Sequence, residues 1–197
     1  MVKRRRLDRQ SVVEQAAIMA DAAGSIQEVT LTALAATLDI RVPSLYNHIA
    51  SLDDLHHALA VYAMQELIVR LRSAAAGTVG REALLAVAAA YRRFAQEHPG
   101  FYPLTLRAPS PDDVVLGALA QELLQMLLLI FASYGVQGDD AIHGVRGLRA
   151  VLHGFTTLES VEGFKMPVDL DESFRRLITA YLAGLSLASA AGKEQRL

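Results

Sequence analysis

The residues best suited to recognition chemistry lie in one short run, Arg41-Val42-Pro43-Ser44-Leu45-Tyr46-Asn47-His48-Ile49-Ala50-Ser51. Arginine can pair bidentately with guanine, asparagine with adenine, and serine with either, while tyrosine, histidine and hydroxyl groups suit phosphate oxygens. Leu45 and Ile49 are four apart and share one helical face toward a core. That leaves Arg41, Pro43, Ser44, Tyr46, Asn47 and His48 outward or flanking, with Val42 opening the helix. The chemistry is noncovalent reading of a duplex groove. Bond-making signatures are missing: the sequence holds no Gly-x-Ser-x-Gly elbow, phosphate-cradling glycine loop, His-Glu-x-x-His or calcium loop. The expectation is a protein that is not an enzyme and uses no cofactor.

Such a run reads DNA only if a second helix braces it across a tight turn. Thr30 is placed to cap that helix, with Leu31, Leu34, Ala35 and Leu38 at helical spacing. Asp39-Ile40-Arg41 fits a three-residue turn, because Asp tolerates a left-handed backbone and Ile40 can tuck between the helices. Pro43 suits a first helical turn, where its missing N–H has no partner to lose. Ser51 and Asp54 have capping-box spacing ahead of Leu52, Leu55, Leu59, Tyr62 and Ala63. Upstream, Asp8 to Ala23 predicts a bracing helix stopped by Gly24, with Val12, Val13, Ala16, Ala17, Met19 and Ala20 as its buried stripe.

The stretch LTALAATLDIRVPSLYNHIASLDDLHHALA resembles the N-terminal domain of the TetR/AcrR family of bacterial transcriptional regulators, over roughly residues 8 to 62. The resemblance implies phosphate contacts at Thr30, Tyr46, His48 and Ser51, and a homodimer on an operator. Two positions depart from the pattern. The turn glycine is Asp39, and the lysine after the Ser51 cap is Leu52. Residues 143 to 185 are similar to a regulatory domain from a branch of the family named for a Trp-His-Gly motif. That similarity implies a ligand pocket; His153 and Gly154 are kept, but Leu152 stands where the tryptophan would be.

The 197 residues are 52% hydrophobic and 20% charged, as in a folded chain, and include no cysteine, so disulfide and thiol chemistry are excluded. Abundant Ala and Leu in long periodic segments predict an all-α fold. The expected organisation is a helix-turn-helix domain over 1–55, with a basic arm at 1–7, and a helical bundle for ligand binding and dimerisation over 56–197. The formal net charge is −2, yet Lys3, Arg4, Arg5 and Arg6 cluster at the start. A basic arm ahead of such a motif can follow phosphates or enter the minor groove. No apolar run follows it, so a signal peptide is not expected.

The remaining segments predict helices over Leu52 to Ala74, Arg81 to His98, Val114 to Val136, Asp139 to Glu159 and Asp171 to Ala188, with a short one near Phe101 to Arg107. Ser110 is the expected cap of the 114–136 helix. That helix is apolar and long enough to cross a bilayer, but Gln121, Glu122 and Gln125 fall within it and no basic cluster flanks it, so a core helix buried on most faces is expected, and no membrane. Small residues Gly144, Gly147, Gly154, Ala180, Gly184 and Ala188 suit close helix approach, at a dimer face or within the chain. The six histidines lack spacing for a metal site; His56 and His57 point about 100 degrees apart on a helix. Tyr91, Phe101, Met126 and His153 are candidates to line a cavity for an unidentified small-molecule effector. The composite expectation is a cytoplasmic, ligand-responsive repressor binding a near-palindromic double-stranded operator. The alternative is a helical ligand-binding protein or enzyme whose motif no longer reads DNA.

Overall fold

The computed structural model describes residues 7–194, their side chains as far as 185. The fold is all-helical, with eight α-helices among the described residues: α1 Arg9–Ala23, α2 Leu31–Thr37, α3 Val42–Leu45, α4 Leu52–Ala75, α5 Gly80–Glu97, α6 Val114–Ser133, α7 Gly138–Ser160 and α8 Leu170–Glu194. Single 3-10 turns occupy Ile26–Glu28 and Tyr102–Thr105. Local chemistry accounts for the first boundaries. The Asp8 carboxylate accepts the Ser11 N–H at 2.8 Å while Ser11 Oγ accepts the Asp8 N–H at 3.0 Å, a reciprocal cap. Gly24, at φ +70°, ends α1 in the left-handed conformation that a side chain would oppose. Val12, Val13, Ala16, Ala17 and Ala20 are buried, whereas Met19 is half-buried.

The chain packs as two compact units, the first combining residues up to 66 with 97–119, the second combining 67–96 with the chain from 120 onward. This division differs from the one expected at 55/56, because α4 runs unbroken through that point and residues 97–119 fold back onto α1. His98 Nδ1 lies 2.7 Å from the Asp21 carboxylate, whose other oxygen accepts the Gly100 N–H at 3.1 Å. Gly100 sits so close to the Ala20 carbonyl that any Cβ would collide with backbone. Phe101 stacks on His98 at 4.6 Å and meets Tyr62 edge-on at 5.8 Å.

In the second unit, the Gly80 N–H donates to Ser133 Oγ at 2.8 Å, joining α5 to the end of α6. Phe131 fills the space left by Gly144, and the Tyr181 hydroxyl donates to the Gly144 carbonyl at 2.6 Å. Tyr181 also closes over Gly147, so these two glycines serve packing within the chain; Gly154 and Gly184 face open space. Arg92 is central to this unit. Its guanidinium makes two bonds to Glu159 and one to Asp171, and lies over the rings of Phe155 at 5.3 Å and Phe174 at 4.9 Å.

Two expectations about α6 are corrected. Its cap is Asp113, whose carboxylate accepts the Leu116 N–H at 3.0 Å, while Ser110 and Pro111 stay outside in a turn closed by the Asp113 N–H on the Ser110 carbonyl. Capping-box spacing fits either residue, and the aspartate one step before the helix wins. Nor is α6 buried on most faces. Phe131 is its one buried residue, and Val114, Val115 and Leu129 are 80%, 51% and 73% exposed. Apolar residues on more than one face of a helix cannot all be covered by neighbours within one small unit. α6 is thus long and apolar enough to cross a bilayer, by length and composition alone.

Arg92 and Glu159 are both little exposed, so removing one leaves the other buried without its partner. Arg92→Ala is expected to lower unfolding free energy by about 3 kcal/mol. The double change R92M/E159M, which removes both charges, is expected to lose less in the same urea titration.

Candidate nucleic-acid interface

The outward set begins at two helix caps. Thr30 is exposed and its hydroxyl oxygen accepts the Ala33 N–H at 3.2 Å; Ser51 is exposed and accepts the Asp54 N–H at 3.0 Å. Each hydroxyl keeps its own proton to donate. Between them, Asp39 takes φ +54°, so an aspartate occupies the left-handed turn position that glycine would fill without strain. Ile40 is half-buried there. α3 follows with Pro43 in its first turn and no side-chain cap on Arg41.

α3 is shorter than the sequence pattern suggests. Beyond Leu45 it tightens, with the Asn47 N–H on the Ser44 carbonyl at 3.3 Å and the His48 N–H on the Leu45 carbonyl at 2.8 Å. The facing is nevertheless clear. Leu45 and Ile49 are 0% and 1% exposed, and Leu34 and Ala35 of α2 are buried too, whereas Tyr46 is 54% exposed. Arg41, Pro43 and Asn47 are exposed, and Val42, Ser44 and His48 half-buried. Thr30, Arg41, Pro43, Tyr46, Asn47 and Ser51 are thus each exposed, with Ser44 half-buried among them in sequence. Leu52 is 38% exposed and brings no charge. The expected contributions of Arg4, Arg5 and Arg6 lie outside the described residues.

A residue not singled out from sequence holds this surface in place. Arg9, on the first turn of α1, makes two bonds to the Asp54 carboxylate, at 2.8 and 2.6 Å, and donates to the His48 carbonyl at 3.0 Å. Asp54 also accepts the Ala50 N–H at 2.7 Å, so its carboxylate serves Ala50 and not the Ser51 N–H that a standard capping box would use. The Arg9 hydrogen bonds, then the Ala50 N–H, lower the Asp54 pKa to about 2. Forty-five residues separate the partners, and nothing local to either announces the pairing. The one hint is an acid at the third helical position, which capping-box spacing already seemed to explain.

The four effector candidates divide between the units. Phe101 belongs to the first, buried against His98 and Tyr62. Tyr91 on α5 is buried, and Met126 on α6 and His153 on α7 are half-buried, all in the second. His153 Nδ1 lies 3.3 Å from the Thr157 hydroxyl, and Leu152, at the tryptophan position, is buried.

Comparison with known proteins points one way. Residues 84–181 match the model of the tetracyclin repressor-like C-terminal domain. HTH-type transcriptional regulator Rv0681 of Mycobacterium tuberculosis is 33% identical over 188 residues, 95% of this chain and 85% of the relative. HTH-type transcriptional regulator YobS of Bacillus subtilis is 36% identical over 179 residues, 91% and 93% of the two chains. The solved structure of the Streptomyces coelicolor TetR family protein ActR in complex with (S)-DNPA shares the fold, with a TM-score of 0.62 and 17% identity over 94% of this chain and 100% of that one.

The lowered pKa of Asp54 fixes a sign. A carboxylate that ionises more easily when folded stabilises above its unfolded pKa, and that contribution is lost as pH falls through the folded one. Urea titrations are expected to show stability declining between about pH 4 and pH 2 with a component that Asp54→Asn removes. Arg9→Ala is expected to cost about 1–2 kcal/mol near neutral pH, discounted for the partial exposure of the pair.

Proposed function

From the premise that this chain belongs to the TetR family of helix-turn-helix transcriptional regulators, we propose that it is a homodimeric repressor released from a near-palindromic operator by a small-molecule effector. The carrying observation is the outward display from Arg41 to Asn47 above buried Leu45 and Ile49. Two such heads, twofold related, enter successive major grooves about 34–36 Å apart. Arg41, Ser44 and Asn47 read base edges, Val42 and Pro43 offer apolar contact to thymine methyls, and Thr30, Tyr46, His48 and Ser51 hold phosphates. The protein works in the cytoplasm, where its DNA is.

Charge assigns a separate task to the arm. From residue 7 to 66 the sequence has two cationic side chains, Arg9 and Arg41, against eight carboxylates, and Arg9 is committed to Asp54. Phosphate attraction therefore comes chiefly from Lys3, Arg4, Arg5 and Arg6, through counterion release. The effector binds in the second unit, with Tyr91, Met126 and His153 lining its site, while Phe101 packs in the first unit. α4 contributes residues to both units and is the element whose two positions release DNA, for a coupling of about 1–3 kcal/mol. ActR, a TetR family protein solved with a small molecule bound, supports an effector here.

Operator fragments recovered by genome-wide footprinting give the test. Asn47→Ala is expected to weaken operator binding by about 1–3 kcal/mol while leaving random duplex unaffected; an equal loss on both refutes base reading. Replacing Arg4, Arg5 and Arg6 with glutamine is expected to flatten the plot of log affinity against log salt, by roughly 0.9 for each phosphate contact removed.

A further inference from the structure

A groove of about 550 Å³ lies within the second unit between α5 and the first turns of α8. Its α5 wall runs from Leu85 to Gln96 at spacings of three and four, so the groove follows the helix for roughly 16 Å at 1.5 Å per residue. Leu85, Ala88, Ala89, Phe174 and Ile178 make an apolar floor. Ala89 is small and exposed, so the groove stays open above it.

The polar groups gather toward one end. Arg92 is neutralised by Glu159 and Asp171 and fixed between two rings. Arg93 and Arg175 differ. Arg175 holds Glu172 through Nε and Nη2, which leaves its Nη1 group to donate elsewhere. Arg93 is exposed and has no ion-pair partner among the described residues. Asp171 is the one carboxylate in the lining, set against three arginines and Gln96. A rim of guanidinium donors at one end of an elongated apolar floor suits an anion on a chain.

The geometry points to a binding site for an unbranched amphipathic carboxylate, its chain along the Leu85–Ile178 floor and its carboxylate on Arg93 and the free edge of Arg175. It is a second site, apart from the one assigned to Tyr91, Met126 and His153, and as an effector site it rests on the ligand-responsive reading above. The binding itself is measured on protein without DNA, so failure of the site and failure of that reading are separate results.

Calorimetric titration of the full chain with hexanoate, octanoate and decanoate is expected to give saturable binding, one molecule per chain. Kd should tighten about twofold per methylene, below the roughly fourfold of complete burial because the groove is half open. Arg93→Gln is expected to weaken octanoate about tenfold and leave 1-octanol unchanged. Ala89→Trp, filling the groove, is expected to abolish both, with the urea midpoints of the two variants unchanged. No saturation by the unaltered protein, equal affinity for octanoate and octylammonium, or full binding by Arg93→Gln overturns the proposal. A groove variant that changes molecular mass in light scattering without changing octanoate affinity assigns the groove to a second copy and equally overturns it. Octanoate binding that leaves operator retention unaltered overturns its effector role.

Discussion

The placement of the α3 segment depends on one arginine. Arg9 bridges the Asp54 carboxylate and the His48 carbonyl, so the start of α1, the end of the α3 segment and the start of α4 are tied at a single guanidinium. Helices as short as α2 and α3 have little stability of their own, and their direction is set by what anchors their ends. Buried Leu34, Leu45 and Ile49 supply adhesion without direction; the planar fork of Arg9 supplies angle. Asp54 then couples the anchor to α4, since its oxygens hold Arg9 and the Ala50 N–H while its own N–H is held by Ser51.

The same pairing shapes the electrostatics. Asp53 and Asp54 both occupy the first turn of α4, where they suit the helix dipole but oppose a phosphate. Arg9 cancels one of them. With Leu52 where the family pattern has lysine, the cap presents a hydroxyl proton and not a cation. On the proposed reading, the folded head brings donors suited to bases, and the nonspecific attraction is assigned to Lys3, Arg4, Arg5 and Arg6.

What was legible in the sequence was local. The Thr30 cap, the left-handed turn at Asp39, the stop at Gly24 and the facing of Leu45 and Ile49 each follow from backbone chemistry within a few residues, and the structure has them. The Arg9–Asp54 bond and the Arg92 cluster join partners far apart in the chain, where periodicity carries no signal. Asp113 in place of Ser110 as the α6 cap is a contest between two good caps that only the neighbouring fold decides, since Asp113 also meets His57 Nε2 at 2.9 Å. The exposure of α6 is a different failure. Composition reports that a helix is apolar, not whether one chain contains enough surface to cover it.

The two arginine nodes show why charge and function are hard to connect by counting. Arg9 and Arg92 both hold carboxylates, the first joining α1 to α4, the second closing a core between Phe155 and Phe174. Arg41 and Arg93 carry the same side chain in exposed positions, and Arg93 lacks an ion-pair partner among the described residues. A guanidinium buried among its partners, as Arg92 is, has lost its hydration and most of its reach, whereas one left in water gains by meeting a base edge or a carboxylate. The two engaged arginines thus act on the fold, Arg9 by joining three chain segments and Arg92 by joining α5 to α7 and α8.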